Sequence, residues 1–211
     1  MKIRICNDNK EFPFFYVDDW YSLEEEELIW KELDFYTNQT TFHRAEDDIS
    51  TGKWEDGVTK SKSWRVYLDG LYPDNKREVS HILRLLPLKR MQIQKAIKET
   101  APNFRMFGLT NSNWTMINYY EDTDYYESHV DGCMMTIVCW FHQTPKAYTG
   151  GDIIFTDINV TLECSHNRMV MFPSYYYHEV LPVKMKDKDL EMGWGRAVGR
   201  YAIINFNART K

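Results

Sequence analysis

The chain has 211 residues, 43% hydrophobic and 27% charged, with no low-complexity tract and no repeat, which suits one domain burying about 70% of its unfolded-chain surface. A net charge of −5 speaks against a nucleic-acid binder, because phosphate backbones reward a basic surface, and no apolar run approaches the roughly 20 residues of a membrane span. Four cysteines without a CxxC pair disfavour a secreted disulfide scaffold, and residues 1–8 hold no apolar stretch of the kind a secretory leader carries, so the expectation is a soluble, cytoplasmic protein.

In chain order, residues 12–17 read as a short strand. A helix over 23–35 follows: Ser22 with Glu25 fits a capping box, and the glutamates of the first turn complement the helix dipole. Residues 38–62, polar and rich in Gly, Asp and Thr, read as a long loop or lid. Residues 64–68 look like a strand, and 76–100 look helical with a break or fresh start at Pro87. From Trp114 onward the character changes to short β-rich segments at 114–120, 126–131, 134–141, 152–156, 158–163, 168–172, 177–184 and 199–206. Turn signals separate them, among them Gly150-Gly151-Asp152 and Ser165-His166-Asn167. The expected fold is α+β, mainly β: a double-sheet jelly roll whose N-terminal helices buttress one sheet. Residues 1–110 form the helix-rich support and 111–211 the core of a single domain.

The chemistry concentrates in three places. On a strand, residues i and i+2 point to one face, so His129 and Asp131 of the predicted strand 126–131 reach toward one point. His178, arriving from a distant strand, would complete two imidazoles and one carboxylate on one face of a metal, leaving the opposite face open. That ligand set is the one associated with non-haem Fe(II) oxygenases. Arg200 shares a strand face with Ala202, Ile204 and Phe206. A buried arginine on an otherwise apolar face needs an anion, and a carboxylate cosubstrate held bidentately by the planar guanidinium would satisfy it. His43, His81, His142 and His166 sit in a loop, a helix, a strand end and a turn, and read as surface or capping residues.

The order and placement of these pieces over residues 118–206 resemble the catalytic core of the Fe(II)/2-oxoglutarate-dependent dioxygenases, most of all the prolyl 4-hydroxylase-like branch. The matching pieces are Tyr120 with Tyr126-Glu127-Ser128-His129-Val130-Asp131, then Gly150-Gly151-Asp152-Ile153-Ile154-Phe155. Asn167-Arg168-Met169-Val170-Met171-Phe172-Pro173-Ser174, His178-Glu179-Val180-Leu181-Pro182-Val183 and Gly199-Arg200-Tyr201 close the series. The resemblance implies His129, Asp131 and His178 as Fe(II) ligands and Arg200 as the partner of the distal carboxylate of 2-oxoglutarate. It also implies Tyr120 as a hydrogen-bond partner of the cosubstrate, with Tyr119 as the alternative one register away, and Phe206 in place of a pocket-lining tryptophan.

Three departures stand out. Asp122-Thr123-Asp124 occupies a turn where the family has a glycine, and Asn167 replaces another. Arg200 lies 22 residues after His178, where about ten is usual, so 184–198 reads as an inserted hairpin or loop and Arg196 is the competitor for the cosubstrate role. The implied reaction is hydroxylation of a prolyl residue in a protein or peptide, with 2-oxoglutarate decarboxylated to succinate. Fe(II), 2-oxoglutarate and dioxygen take part, with ascorbate as an accessory reductant. Asp131 itself favours hydroxylation, since halogenases of this group lack the carboxylate. Hydroxylation of a free amino acid or other small molecule is the alternative within the class, and a non-catalytic β-sandwich binding module is the alternative outside it. A protein or peptide partner is expected ahead of a small molecule, with no membrane and no nucleic acid.

Overall fold

The computed structural model describes residues 2–6, 12–38, 41–97, 102–187 and 198–211. The N-terminal half contains β1 (Lys2–Cys6), β2 (Phe14–Asp18), α1 (Leu23–Asn38), β3 (His43–Arg44), β4 (Ser61–Lys62), β5 (Trp64–Tyr67), α2 (Leu68–Leu71) and α3 (His81–Ile97). Then come β6 (Ser112–Tyr120), β7 (Tyr125–His129), β8 (Met135–Phe141), β9 (Tyr148–Gly150), β10 (Ile153–Phe155) and β11 (Val160–Leu162). The last strands are β12 (Met169–Pro173), β13 (His178–Val180), β14 (Val183–Met185) and β15 (Arg200–Ala208).

Local chemistry sets the helix ends. The capping box at α1 is present: the Glu25 N–H donates to Ser22 Oγ at 3.3 Å, and the Ser22 N–H donates to Glu25 Oε2 at 2.9 Å. Two orphan amide donors are satisfied reciprocally. The expected break at Pro87 is absent, because α3 continues through it. Proline removes one i→i−4 bond, and the buried face of Ile82, Leu83, Ile93 and Ile97 offsets that loss by packing into the core.

Among the described residues the strands form an eight-stranded sheet in the order β1-β2-β12-β8-β15-β6-β5-β3, and a five-stranded sheet in the order β11-β10-β13-β7-β4. Strands β14 and β9 pair separately. All strand pairings among the described residues are antiparallel, as in the expected double-sheet jelly roll.

Period-2 alternation sorts the large sheet's side chains into two cores. Phe15, Val17, Ile117, Tyr119, Cys139, Phe141, Met169, Met171, Tyr201 and Ile203 pack in a cluster with Ile29, Leu33, Ile82 and Ile93 of the helices. The alternate residues Phe14, Tyr120, Val138, Trp140, Val170, Phe172 and Ala202 pack with Ile153, Phe155 and Val180 of the small sheet. The functional pocket lies in this second layer. The predicted strand 177–184 is two strands in different sheets, parted at Leu181-Pro182. Proline has no amide to donate to a ladder, which suits it to the crossing point.

The described part of the expected loop 38–62 contains short strands. Ser61 and Lys62 add a strand to the edge of β7, and Lys53 bridges to Thr59. Of the expected insertion 184–198, residues 188–197, and with them Arg196, lie outside the described residues.

Candidate metal centre and anion pocket

His129 closes β7, and its cross-strand partner is His178, the first residue of β13. Their ring centroids are 4.3 Å apart. Asp131 lies beyond the end of β7 rather than on it, which corrects the expectation that a strand's period would aim it. Backbone and side-chain bonds place it instead: its N–H donates to Ser174 O at 3.0 Å, and Thr136 Oγ1 donates to Asp131 Oδ2 at 2.5 Å. His129 Nε2 stands 3.7 Å from Asp131 Oδ1, and His178 Nε2 stands 3.6 Å from Oδ2. One ligand atom from each of the three residues lies within 4.8 Å of the other two.

The imidazoles are preset as ligands. His129 Nδ1–H donates to Glu127 O at 2.8 Å, and His178 Nδ1–H donates to Tyr176 O at 2.9 Å. With Nδ1 occupied as donor, Nε2 of each ring faces the shared point. Burial, and then the neighbouring His178, push His129 well below the ordinary imidazole value, so the ring is held neutral, as a metal ligand must be. Tyr126 stacks flat on His129 at 3.6 Å and 9°. Burial pushes its phenol up to about 12, so it remains a neutral plate.

The same cavity continues to Arg200. Its lining includes Tyr120, Arg200, Ala202, Ile204 and Phe206 together with the three metal-type ligands. Arg200 is 1% exposed, its Nε and Nη1 have no hydrogen-bond partner, and no ion pair to it is found among the described residues. Its guanidinium lies over the rings of Tyr120 at 4.7 Å and Trp140 at 5.9 Å. Trp140 Nε1 and Asn118 Oδ1 are likewise buried without partners, on the strands flanking β15. Gly151, with φ of +72°, permits this arrangement, since an added Cβ would stand 2.7 Å from Arg200 Cδ.

The tyrosine register is decided by the sheet's alternation. Tyr120 faces the pocket and accepts from Asn118 Nδ2 at 3.2 Å, whereas Tyr119 faces the helices and accepts from the Gly199 N–H at 3.0 Å. Phe206 is half-buried and stacks on Trp114 at 5.5 Å. The remaining histidines stay outside the pocket: His43 faces Asp48, His81 accepts from Arg84, His142 bonds Gln143 O, and His166 bonds Glu26. Sequence reasoning missed Asn118, Tyr126, Thr136 and Trp140. The signal for Asn118 and Thr136 was a polar residue flanked by apolar strand neighbours, two positions before Tyr120 and two before Val138 respectively.

Residues 115–205 match the sequence pattern of the 2OG-Fe(II) oxygenase superfamily. Over that stretch the chain resembles the core of that superfamily. Comparison with curated protein sequences gives no match. Solved structures share the oxygenase fold at low identity. A Pseudomonas putida prolyl-4-hydroxylase superposes with a TM-score of 0.64 at 16% identity, covering 97% of this chain and 96% of that one. A Trichoplax adhaerens prolyl hydroxylase, in complex with a hypoxia inducible factor oxygen degradation domain peptide fragment, gives 0.60 at 14%, covering 92% and 83%. The viral collagen prolyl hydroxylase of Paramecium Bursaria Chlorella virus-1, in a 2OG complex, gives 0.54 at 13%, covering 92% and 94%. The fold is thus prolyl 4-hydroxylase-like. The donor set fits the iron that the superfamily uses, and the orphaned guanidinium fits the distal carboxylate of its cosubstrate.

Proposed function

We propose that this protein is an Fe(II)- and 2-oxoglutarate-dependent dioxygenase that hydroxylates a prolyl residue of a protein or peptide. The observation that carries the reading is one pocket holding two imidazole Nε2 atoms and a carboxylate at one end and a buried guanidinium with unpaired Nε and Nη1 at the other. His129, Asp131 and His178 would hold the metal. Arg200 would hold the distal carboxylate of 2-oxoglutarate, with the unpaired Trp140 Nε1–H as a further donor beside it. Bound iron with 2-oxoglutarate and dioxygen supplies the oxidising chemistry, in which 2-oxoglutarate becomes succinate and CO2 and the substrate gains a hydroxyl.

The chain's own residues orient and exclude. Backbone carbonyls of Glu127 and Tyr176 lock the two rings, Tyr126 fixes the plane of His129, and Phe206, Ile204 and Val138 keep water from the pocket wall. The ordered loop beside β7 supports a chain-like substrate. Trp54 Nε1 donates to Glu127 at 2.5 Å, Lys60 sits over the Trp54 ring at 4.1 Å, and both stand next to the strand that ends in His129. The prolyl assignment draws its support from the fold shared with the prolyl hydroxylases.

The test is an anaerobic titration of metal-free protein with Fe(II) and 2-oxoglutarate, following the visible charge-transfer band of a chelated cosubstrate. The band is expected in the wild type and absent in His178→Ala; folded protein that never develops it overturns the dioxygenase reading. Succinate release under air is then compared with proline-bearing peptides and with free amino acids. Stimulation by the latter alone overturns the prolyl assignment and leaves the class standing.

A further inference from the structure

Asp131 has lost the support of a strand, and a chain of three side chains replaces it. Thr136 Oγ1 is 2.5 Å from Asp131 Oδ2, Ser174 Oγ is 2.8 Å from Thr136 Oγ1, and Cys133 Sγ is 2.9 Å from Ser174 Oγ. Thr136 and Ser174 are fully buried and Cys133 half-buried. Backbone bonds clamp the same residues: Asp131 N–H to Ser174 O at 3.0 Å, Ser174 N–H to Met134 O at 3.1 Å, and Met134 N–H to Asn207 O at 2.9 Å.

Proton counting gives this chain one direction. A carboxylate that binds a cation has no proton, so Thr136 spends its single hydroxyl proton on Asp131. Ser174 must then donate to Thr136, and Cys133 Sγ stands within reach of Ser174 Oγ at 2.9 Å and of Thr136 Oγ1 and the Met135 carbonyl, both at 3.6 Å. The Thr136 hydroxyl thus gives one bond to the carboxylate and receives one from Ser174. Hydroxyl donation to an ionised acceptor is also the stronger kind of bond.

We propose that Thr136, backed by Ser174 and Cys133, is the positioning residue that fixes the rotation of the Asp131 carboxylate for cation binding. One lone pair of Oδ2 is committed to Thr136, so the carboxylate cannot turn freely or present both oxygens symmetrically. The proposal rests on the reading of Asp131 as a metal ligand. It assigns a role to three residues that the ligand set alone leaves without one, and it orders them: Thr136 matters most, Ser174 less, and Cys133 least, by distance along the chain from the carboxylate.

The experiment titrates metal-free protein with Co(II), reading affinity by calorimetry and ligand geometry by the visible d–d spectrum. The variants are Thr136→Val, Thr136→Ser, Ser174→Ala and, as control, His178→Ala. Thr136→Val keeps the volume and removes the donor, and is expected to weaken Co(II) about 10- to 100-fold with an altered spectrum. Thr136→Ser is expected to restore affinity to within a few-fold, which a purely structural role for the side chain does not predict. Ser174→Ala, a smaller change that tests the chain should Thr136→Val fold poorly, is expected to weaken Co(II) several-fold. Wild-type affinity and spectrum in a folded Thr136→Val or in Ser174→Ala overturns the proposal while the His178→Ala loss keeps the metal centre intact. Equal Co(II) binding by wild type and His178→Ala overturns the centre and the proposal together.

Discussion

Arg200 has no internal reason to be where it is. Burying a guanidinium costs several kcal/mol unless an anion or full hydrogen bonding repays it, yet two of its nitrogens are unpaired at 1% exposure. The rings of Tyr120 and Trp140 offer their π faces but no negative charge. A bidentate carboxylate supplies what is missing, at about 1.5–3 kcal/mol for a charge-assisted bond. Arg200→Gln is therefore expected to weaken 2-oxoglutarate about 10- to 150-fold while the Co(II) affinity of the His129, Asp131 and His178 site changes little. Calorimetric titration with each ligand separates the two. An unchanged 2-oxoglutarate affinity would remove Arg200 from the pocket's chemistry. The burial of Arg200 on an apolar face was readable in the sequence from its company at period 2. Trp140 was not, and Thr136 and Asn118 showed only as polar residues among apolar neighbours, because their significance comes from unpaired or chained polar atoms that only the packed sheet defines.

Two connecting segments shape the site and respond differently to change. At the Gly150-Gly151 turn, both residues have φ of +72°, a left-handed conformation costing other residues about 1–2 kcal/mol. A Cβ on Gly150 would strike the carbonyl of Pro182, a backbone atom that cannot swing aside, whereas a Cβ on Gly151 would press on the Arg200 side chain at 2.7 Å. Gly150→Ala is expected to lower Tm more. Gly151→Ala is expected to lower 2-oxoglutarate affinity by more than its Tm shift accounts for; the reverse pattern would mean that Arg200 has room to move.

The loop before β5 is pinned by Asp48. Its carboxylate accepts from Tyr67 Oη at 2.9 Å, the Ser50 N–H at 2.8 Å and Arg65 Nη1 at 3.3 Å. Burial alone would raise its pKa, but bonds from Ser50 and Tyr67 and the charge of Arg65 outweigh it and pull the value down to about 2. A carboxylate depressed in the folded state adds stability above its unfolded value of 3.8, and that stability is lost as pH falls toward 2. Asp48→Asn should thus be less stable than wild type at pH 7, with the gap in urea midpoint closing between pH 4 and 2. A constant gap would show that the loop is not held by this charge. The sequence showed this stretch only as polar. Ser61 and Lys62 form an edge strand with a wet outer side, so no hydrophobic alternation marks them, and β7 ends two residues early because Asp131 turns away to meet Ser174.

At the scale of the molecule, the sequence pattern shared with the oxygenase superfamily covers residues 115–205, but the sheet it belongs to does not end there. Strands β1 and β2 complete one side of the large sheet beside β12, and β5 and β3 complete the other beside β6. The outer face of that sheet presents Tyr119, Phe141, Met169, Met171, Tyr201 and Ile203, and all are buried with the helices in one cluster. Cutting away residues 1–110 would uncover this apolar face and leave two strand edges with unpaired amides, which is a template for aggregation. The alternating pattern of 111–211 made the jelly roll legible in the sequence, yet it looked the same whether the strands stood alone or needed partners from the first half. Because the first half supplies both flanks of the large sheet, one cooperative unit is expected. Full-length protein is accordingly expected to unfold in a single calorimetric transition whose measured enthalpy matches the van't Hoff value. The fragment 111–211 is expected to be insoluble, or collapsed without a cooperative melt. Two separate transitions in the whole chain, or a fragment that melts cooperatively and binds Co(II), would show that the helical half is an attachment to the core rather than part of it.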